Sequence, residues 1–306
     1  MQTRTDLAME SQDFSKRIQG VAYHAYQHDD FEEIHVYVET EQAAQALSKS
    51  CGRYITLSCP KLPQIDGVFQ LRLARSLAGI LNEMLPSEGE LLIVGLGNRQ
   101  ITADALGSRV LDHLLITRHM RSVDELHKKS GIRSVCAIAP GVLGVTGIET
   151  AEVVQGIVER IHPAAVIAID ALAARETGRI CTTIQMTDTG IRPGSGVGNH
   201  RRGLTKETLG VPVCAIGVPM VVYASVIARD ALNMMLQDIG MDAQQHGEAV
   251  NAMVQQVTEK GMGDLVVTPR EVDQLVGKVA QIIAMGLNIA LHPGLSEEDI
   301  HVFLHD

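Results

Sequence analysis

Two aspartates stand after short apolar runs in the same way. Asp104 follows LLIV and the glycine-rich GLGNRQITADALGSRV, Gly95 to Val110, while Asp170 closes AAVIAID and opens AIDALAAR. In an open parallel sheet the carboxyl ends of the strands line one crevice. Two carboxylates delivered there from separate strands can face each other. Like charges in a partly dry cleft split their titrations, so one holds a proton while the other stays ionised. That pair is a general acid plus a general base, suited to hydrolysis through an activated water. A lone aspartate at a strand end is as often a cap or a turn former, and the residues alone leave both readings open.

The same stretch has a nucleotide rival. A dinucleotide fingerprint needs glycines where the backbone meets a pyrophosphate. Gly95 and Gly97 are present, but the third position is Gln100, and the GK[ST] ending of a P-loop is absent. Asp104 beside a helix start is a poor neighbour for a phosphate. APGVLGVTGIET, Ala139 to Thr150, is rich in small residues and predicts a tight loop beside the crevice. Its backbone N–H groups either serve a developing oxyanion or simply close a turn. RRGLTK, Arg201 to Lys206, either binds acidic side chains of a substrate or is a solvated loop. The twelve histidines show no HExxH spacing, and Cys51 and Cys59 are too widely spaced for a metal knuckle. No set of histidines and carboxylates accompanies the two aspartates, so no catalytic metal and no cofactor are expected. Cys136, Cys181 and Cys214 sit in apolar runs without a histidine nearby in sequence and are expected to be inert core thiols.

The elements that must position these residues follow from composition and period. With 306 residues, 45% of them hydrophobic, the chain can bury a sizeable core. Only 3% is aromatic, so the core is aliphatic and little remains for stacking on bases. The formal charge of -10 argues against general nucleic-acid binding. Five unpaired cysteines indicate reduced thiols. MQTRTDLAMESQ has no apolar signal core, and no run reaches membrane-spanning length without a charge or a turn. A soluble cytoplasmic protein is expected.

Strands are predicted at EEIHVYVET, YITLSCP, LLIVG, SVCAIAP, AAVIAID, PVCAIG and DLVVTP. Helices are predicted at LRLARSLAGILNEML, DALGSRVLDHLLITRHM, ETAEVVQGIVERI, within residues 225–261, and at EVDQLVGKVAQIIAMGLNIAL. Residues 1–30 suggest a loose arm with one helix, and DTGIRPGSGVGNHRRGL an exposed basic loop. The alternation of apolar strands and amphipathic helices predicts an α/β three-layer sandwich whose central sheet is mostly parallel.

Taken together, GLGNRQITADALGSRV, APGVLGVTGIETAEVVQGIV, IAIDALAAR, DTGIRPGSGVGNHRRGLTKETLGVPVCAIGVP and VVTPREVDQLV resemble the spore germination protease family of spore-forming Firmicutes. The resemblance runs from Arg4 to about His292. It implies an atypical aspartic endopeptidase, similar in fold to hydrogenase maturation proteases, that hydrolyses small acid-soluble spore proteins during germination. It implies Asp104 and Asp170, 66 residues apart, as the catalytic pair. It implies a cytoplasmic enzyme of the forespore and spore core, assembled as a homo-oligomer, typically a tetramer, with no nucleic-acid or membrane partner.

The family is made as a zymogen that removes a short pro-segment by self-cleavage. Its substrate sites resemble Thr-Glu, an apolar residue, then Ala-Ser-Glu. RTDLAME places the corresponding cut between Asp6 and Leu7, giving residues 1–6 as a pro-segment and 7–306 as a single peptidase domain. The acidic residues of such a segment call for a basic receptor, for which Arg201, Arg202 and Lys206 are candidates, with Arg192 beside them. Where the family commonly has VVDA this chain has VVYA, with Tyr223. The rivals are a metal-dependent maturation-type protease on the same scaffold, a non-catalytic module binding spore proteins, and a nucleotide-binding module.

Overall fold

The computed structural model describes residues 6–10, 19–64, 67–122, 131–192, 202–240, 247–257 and 265–305. Its strands are β1 (Val21–Gln27), β2 (Glu32–Val38), β3 (Gly52–Ser58), β4 (Leu91–Gly95), β5 (Val135–Ile138), β6 (Ala165–Ala174), β7 (Thr183–Thr187), β8 (Val213–Tyr223) and β9 (Val266–Val267). Its helices are α1 (Glu41–Leu47), α2 (Gly67–Met84), α3 (Leu106–Leu111), α4 (Leu143–Thr146), α5 (Thr150–Ile161), α6 (Lys206–Leu209), α7 (Ala224–Asp238), α8 (Gly247–Val257), α9 (Val272–Leu291) and α10 (Glu297–His305).

The nine strands among the described residues form one sheet in the order β1-β2-β3-β7-β8-β6-β4-β5, with β9 paired to β8. The expected parallel character belongs to one half. β5, β4, β6 and β8 are parallel, whereas β1, β2, β3 and β7 pair antiparallel, and β7 joins β8 antiparallel. The parallel half reads as unbroken apolar sequence because both its faces are covered.

Alternation along the strands assigns the two faces. Ile167 and Ile169 of β6, with Ile93, Ile184 and Ile216, meet the layer of α2, α3 and α9. Val166 and Ala168 of β6, with Leu92 and Val94, meet α5 and α6. On that second face, beyond β8, α1 covers Ile34, Val36 and Tyr54. By length and composition α9 could cross a membrane, but here it is the central helix under the sheet, packed on α2.

Two elements differ from the sequence expectation for identifiable reasons. β1 lies where a loose arm was expected. It is an edge strand, largely exposed, so no apolar face marks it. α3 stops at Leu111 although the helical pattern runs on to Met120. Asn288 of α9 draws the following backbone away, accepting from Leu115 N at 3.0 Å and donating to His113 O at 2.9 Å. After Pro293 the chain carries a further helix, α10, which Ser296 caps by accepting from Asp299 N at 3.1 Å.

Candidate active site

The turn after β4 is built around a carboxylate. Leu96 N continues the strand pairing by donating to Ile169 O at 2.8 Å. Gly97 takes φ +94°, and a Cβ there would sit 2.0 Å from Asp104 O. The chain turns back through a 3-10 helix, Thr102–Asp104, and Asp104 Oδ2 accepts from Asn98 N at 2.7 Å. Thr102 Oγ1 ties the turn to α9 by donating to Asp273 Oδ1 at 2.8 Å. The glycines therefore bring backbone against backbone, and the Asn98 N–H is occupied by Asp104. A phosphate would have to displace that carboxylate, which weighs against the nucleotide reading.

Asp170 follows Ile169 on β6 and is 5% exposed. Its Oδ1 accepts from Ala171 N at 2.9 Å. Gly95 pairs with Ile169, so the loop carrying Asp104 leaves β4 directly beside Asp170. Asp104 thus lies past the end of β4, beside Asp170, which does not close its strand as expected but stands inside β6, because pairing with β8 carries that strand on to Ala174. Asp104 comes with the α3 layer, where Ala103 packs. Asp170 shares the face of Val166 and Ala168, on the α5 side.

On that face the row through Asp170 continues as Gly217, Gln185 and Thr56. Gln185 lies two strands from Asp170, roughly 10 Å away, with only a glycine between them. Thr56, Thr183, Gln185 and Thr187 are all buried. A sheet face covered by an apolar helix would not place four polar side chains there. Of the four, Gln185 meets the N-terminal segment, residues 6–10.

Asp6 N donates to Ala173 O at 3.3 Å, and Asp6 Oδ2 accepts from Ala173 N at 3.0 Å. Ala173 is three residues past Asp170 on the same strand. Asp6 O accepts from Lys49 Nζ at 2.8 Å and from Gln185 Nε2 at 3.2 Å. Ala8 N donates to Gln185 Oε1 at 2.6 Å, so one amide side chain grips the backbone on both sides of Leu7. Leu7 is fully buried, and Ala8 packs under α1.

Glu10 is buried as well. Its carboxylate accepts from Arg175 N at 2.7 Å and from Glu176 N at 3.1 Å. Arg179 Nε lies 3.4 Å from it and 2.9 Å from Glu176, while Arg179 Nη1 reaches Met9 Sδ at 3.2 Å. Burial holds the Lys49 ammonium below its ordinary pKa, and Asp6 and Glu10 pull the other way. The residue is half-exposed as a whole, so it is the amine end that is enclosed.

The basic residues singled out in sequence stand between β7 and the start of α6. Arg192 and Arg202 are exposed beside the bridge Ile191–Leu204, and Lys206 is exposed at the start of α6. Arg201 lies outside the described residues. The Glu10 carboxylate of the segment is met by Arg179 and two backbone N–H groups. Lys49, Gln185 and Arg179 went unnoticed in sequence. One signal was available: TTIQMT puts polar residues at every second position of an otherwise apolar strand. Tyr223 makes no capping hydrogen bond at the start of α7. It packs against Ala174, Val222 and Val226. Cys181 and Cys214 are buried, their pKa values both pushed up to about 12 by burial, which makes them inert as nucleophiles. Cys136 is half-buried. Among the described residues no group of three or more His, Cys, Asp or Glu is placed to hold a metal ion.

The family model described as germination protease matches residues 1–263 and 250–304. A germination protease of Clostridium perfringens is 41% identical, with 99% of each chain covered. One from Caldanaerobacter subterraneus is also 41% identical, over 99% of this chain and 98% of the relative. One from Bacillus cereus is 37% identical, over 99% and 97%. Among solved structures, the [NiFe] hydrogenase maturation protease HycI from Thermococcus kodakarensis covers 68% of this chain and 98% of its own. At 18% identity and a TM-score of 0.33 that likeness carries no weight here.

Proposed function

The chain belongs to the germination protease family, and from that premise we propose that it is an endopeptidase for small acid-soluble spore proteins in the spore core, made as a zymogen that cuts its own Asp6–Leu7 bond. The observation carrying this reading is the docking of Asp6 on Ala173, three residues beyond Asp170, with its carbonyl oxygen held by two donors.

Asp104 and Asp170 are proposed as the acid–base pair. The ionised one takes a proton from water as the water oxygen attacks the carbonyl carbon. The protonated one supports the tetrahedral oxygen, and a proton passes to the leaving amine as the C–N bond breaks. Donors already aimed at a carbonyl oxygen strengthen their hold as it gains charge. The exposed Met234 and Met235 of α7, Ile239 just after it, and Met253 of α8 offer an apolar surface on which a tetramer could assemble.

The test is incubation of the full chain, alone and with a purified small acid-soluble spore protein, followed by intact-mass analysis. Wild type is expected to lose residues 1–6 and to cut the spore protein. D104N and D170N should each lose at least 10³-fold in rate, as removal of a member of a catalytic pair does. Full activity in either variant rejects the aspartate pair, and no cleavage by wild type rejects the protease reading.

A further inference from the structure

Residues 6–10 do more than lie on the sheet. Each of three successive contacts selects something different. The Gln185 amide donates to Asp6 O and accepts from Ala8 N, as a neighbouring strand would. That pairing reads backbone and fixes where residue 6 sits, whatever its side chain. Ala8 is 1% exposed and enclosed with Ala43, Ala44 and Leu47 of α1, so only a small side chain fits there. The Glu10 side chain is fully enclosed, with two backbone N–H groups and one guanidinium around its carboxylate. An enclosed carboxylate with two N–H donors and a guanidinium at ion-pair distance is a built anion site, and a neutral residue there would leave the donors and the cation without their charged acceptor.

We propose that Gln185 with Lys49, and Arg179 with the Arg175 and Glu176 backbone, are the specificity-determining contacts of the substrate groove, and that residues 6–10 occupy that groove as a resident competitor. This rests on the reading of Asp6–Leu7 as the bond that is cut. The alanine two places after the cut and the glutamate four places after it, which the resemblance already implies for substrates, are then read by these contacts. The same contacts that present the chain's own bond keep other peptides out.

Residency makes the two consequences of weakening Glu10 opposite in sign. E10Q slows self-cleavage, because its own segment is held less well. It also lowers the apparent KM for a peptide added in trans, because the competitor is weaker. A purely structural role for Glu10 would impair both.

The experiment uses the full chain and E10Q, R179Q and R179K variants. Self-cleavage after Asp6 is followed by intact mass. Trans cleavage uses a fluorogenic peptide with an acidic residue before the cut bond and either Glu or Gln four places after it. A charge-assisted contact of this kind changes affinity by roughly tenfold to a hundredfold. Wild type should prefer the Glu peptide by that factor in KM, R179Q should lose the preference, and R179K should keep part of it. Full preference in R179Q overturns the assignment, as does a raised KM in E10Q. Failure of the underlying reading looks different: wild type then leaves both its own bond and both peptides intact.

Discussion

Gly107→Ala tests whether the glycines of the Asp104 turn serve close packing. A Cβ at 107 would lie 2.4 Å from Leu96 N, 2.5 Å from Leu96 O and 2.5 Å from Ile169 O. Ordinary contact begins at 3.4 Å, so about 1 Å must be found. None of the three atoms can yield cheaply, because Leu96 N and Ile169 O are hydrogen-bonded to each other at 2.8 Å. The start of α3 must therefore retreat from the sheet, loosening the buried Leu106 and Val110. Overpacking of this kind costs about 1–3 kcal/mol. Asp104 ends the 3-10 helix immediately before α3 and moves with it. A displacement of about 1 Å at a reacting group costs on the order of 10²-fold in rate. Urea unfolding by circular dichroism gives the first quantity, and intact-mass timing of self-cleavage gives the second. Gly156→Ala is the control, since its added Cβ meets nothing within 4 Å inside α5. It should stabilise the protein by about 0.5–1 kcal/mol and leave the rate alone. If G107A behaves like G156A, the packing account of the turn is wrong.

Two further outcomes are expected. His292 is fully buried. Its pKa is pushed down to about 4 by burial, resisted by its hydrogen bond to Leu115 O and assisted by Arg133. The unfolded chain therefore takes this proton first as the pH falls. The stability tied to His292 is fully present above about pH 6.5 and lost as the pH drops through about 4, amounting to roughly 3 kcal/mol. Urea titrations at pH 7 and pH 4.5 should show a smaller drop for His292→Gln, and an equal drop in both proteins would remove His292 as the cause. Extended treatment with excess chelator should leave self-cleavage at its original rate, and a loss restored by a divalent metal would favour the maturation-type rival.

How much of this was legible in sequence depends on what kind of pattern carries it. LLIVG and AAVIAID are unbroken apolar runs because their strands are covered on both faces. Those two runs mark β4 and β6, the neighbouring parallel strands that bring the Asp104 loop beside Asp170, although the apolar run ends at Asp170 and β6 continues to Ala174. The groove next to them was not legible in the same way. Its floor belongs to β3 and β7, whose polar residues face one side only, so TIQMT lacks the apolar signature of a core strand. Its Lys49 follows α1 and its Arg179 sits in a 3-10 turn, at positions that spacing cannot connect. The basic loop at Arg192, Arg202 and Lys206 had the louder signal, being dense in charge. Yet an anion receptor depends on enclosure more than on charge count, and backbone N–H groups such as those of Arg175 and Glu176 have no signature in sequence at all.

Enclosure also bears on what hydrolysis of Asp6–Leu7 would do. Leu7 is fully buried, and the cut turns its neutral peptide nitrogen into an α-ammonium group. With an ordinary pKa near 8, that amine is charged at neutral pH. It would then stand in an enclosed site close to the Lys49 ammonium, and a buried charge beside one of like sign is strongly disfavoured. The new carboxylate of Asp6, by contrast, faces Lys49 favourably. Hydrolysis thus makes residues 7–10 the less stable occupants of the groove and leaves the Glu10 contacts as their main anchorage. The opposite-signed effects expected for E10Q follow from this: the carboxylate that seats the bond for cutting is also what delays clearance of the groove afterwards.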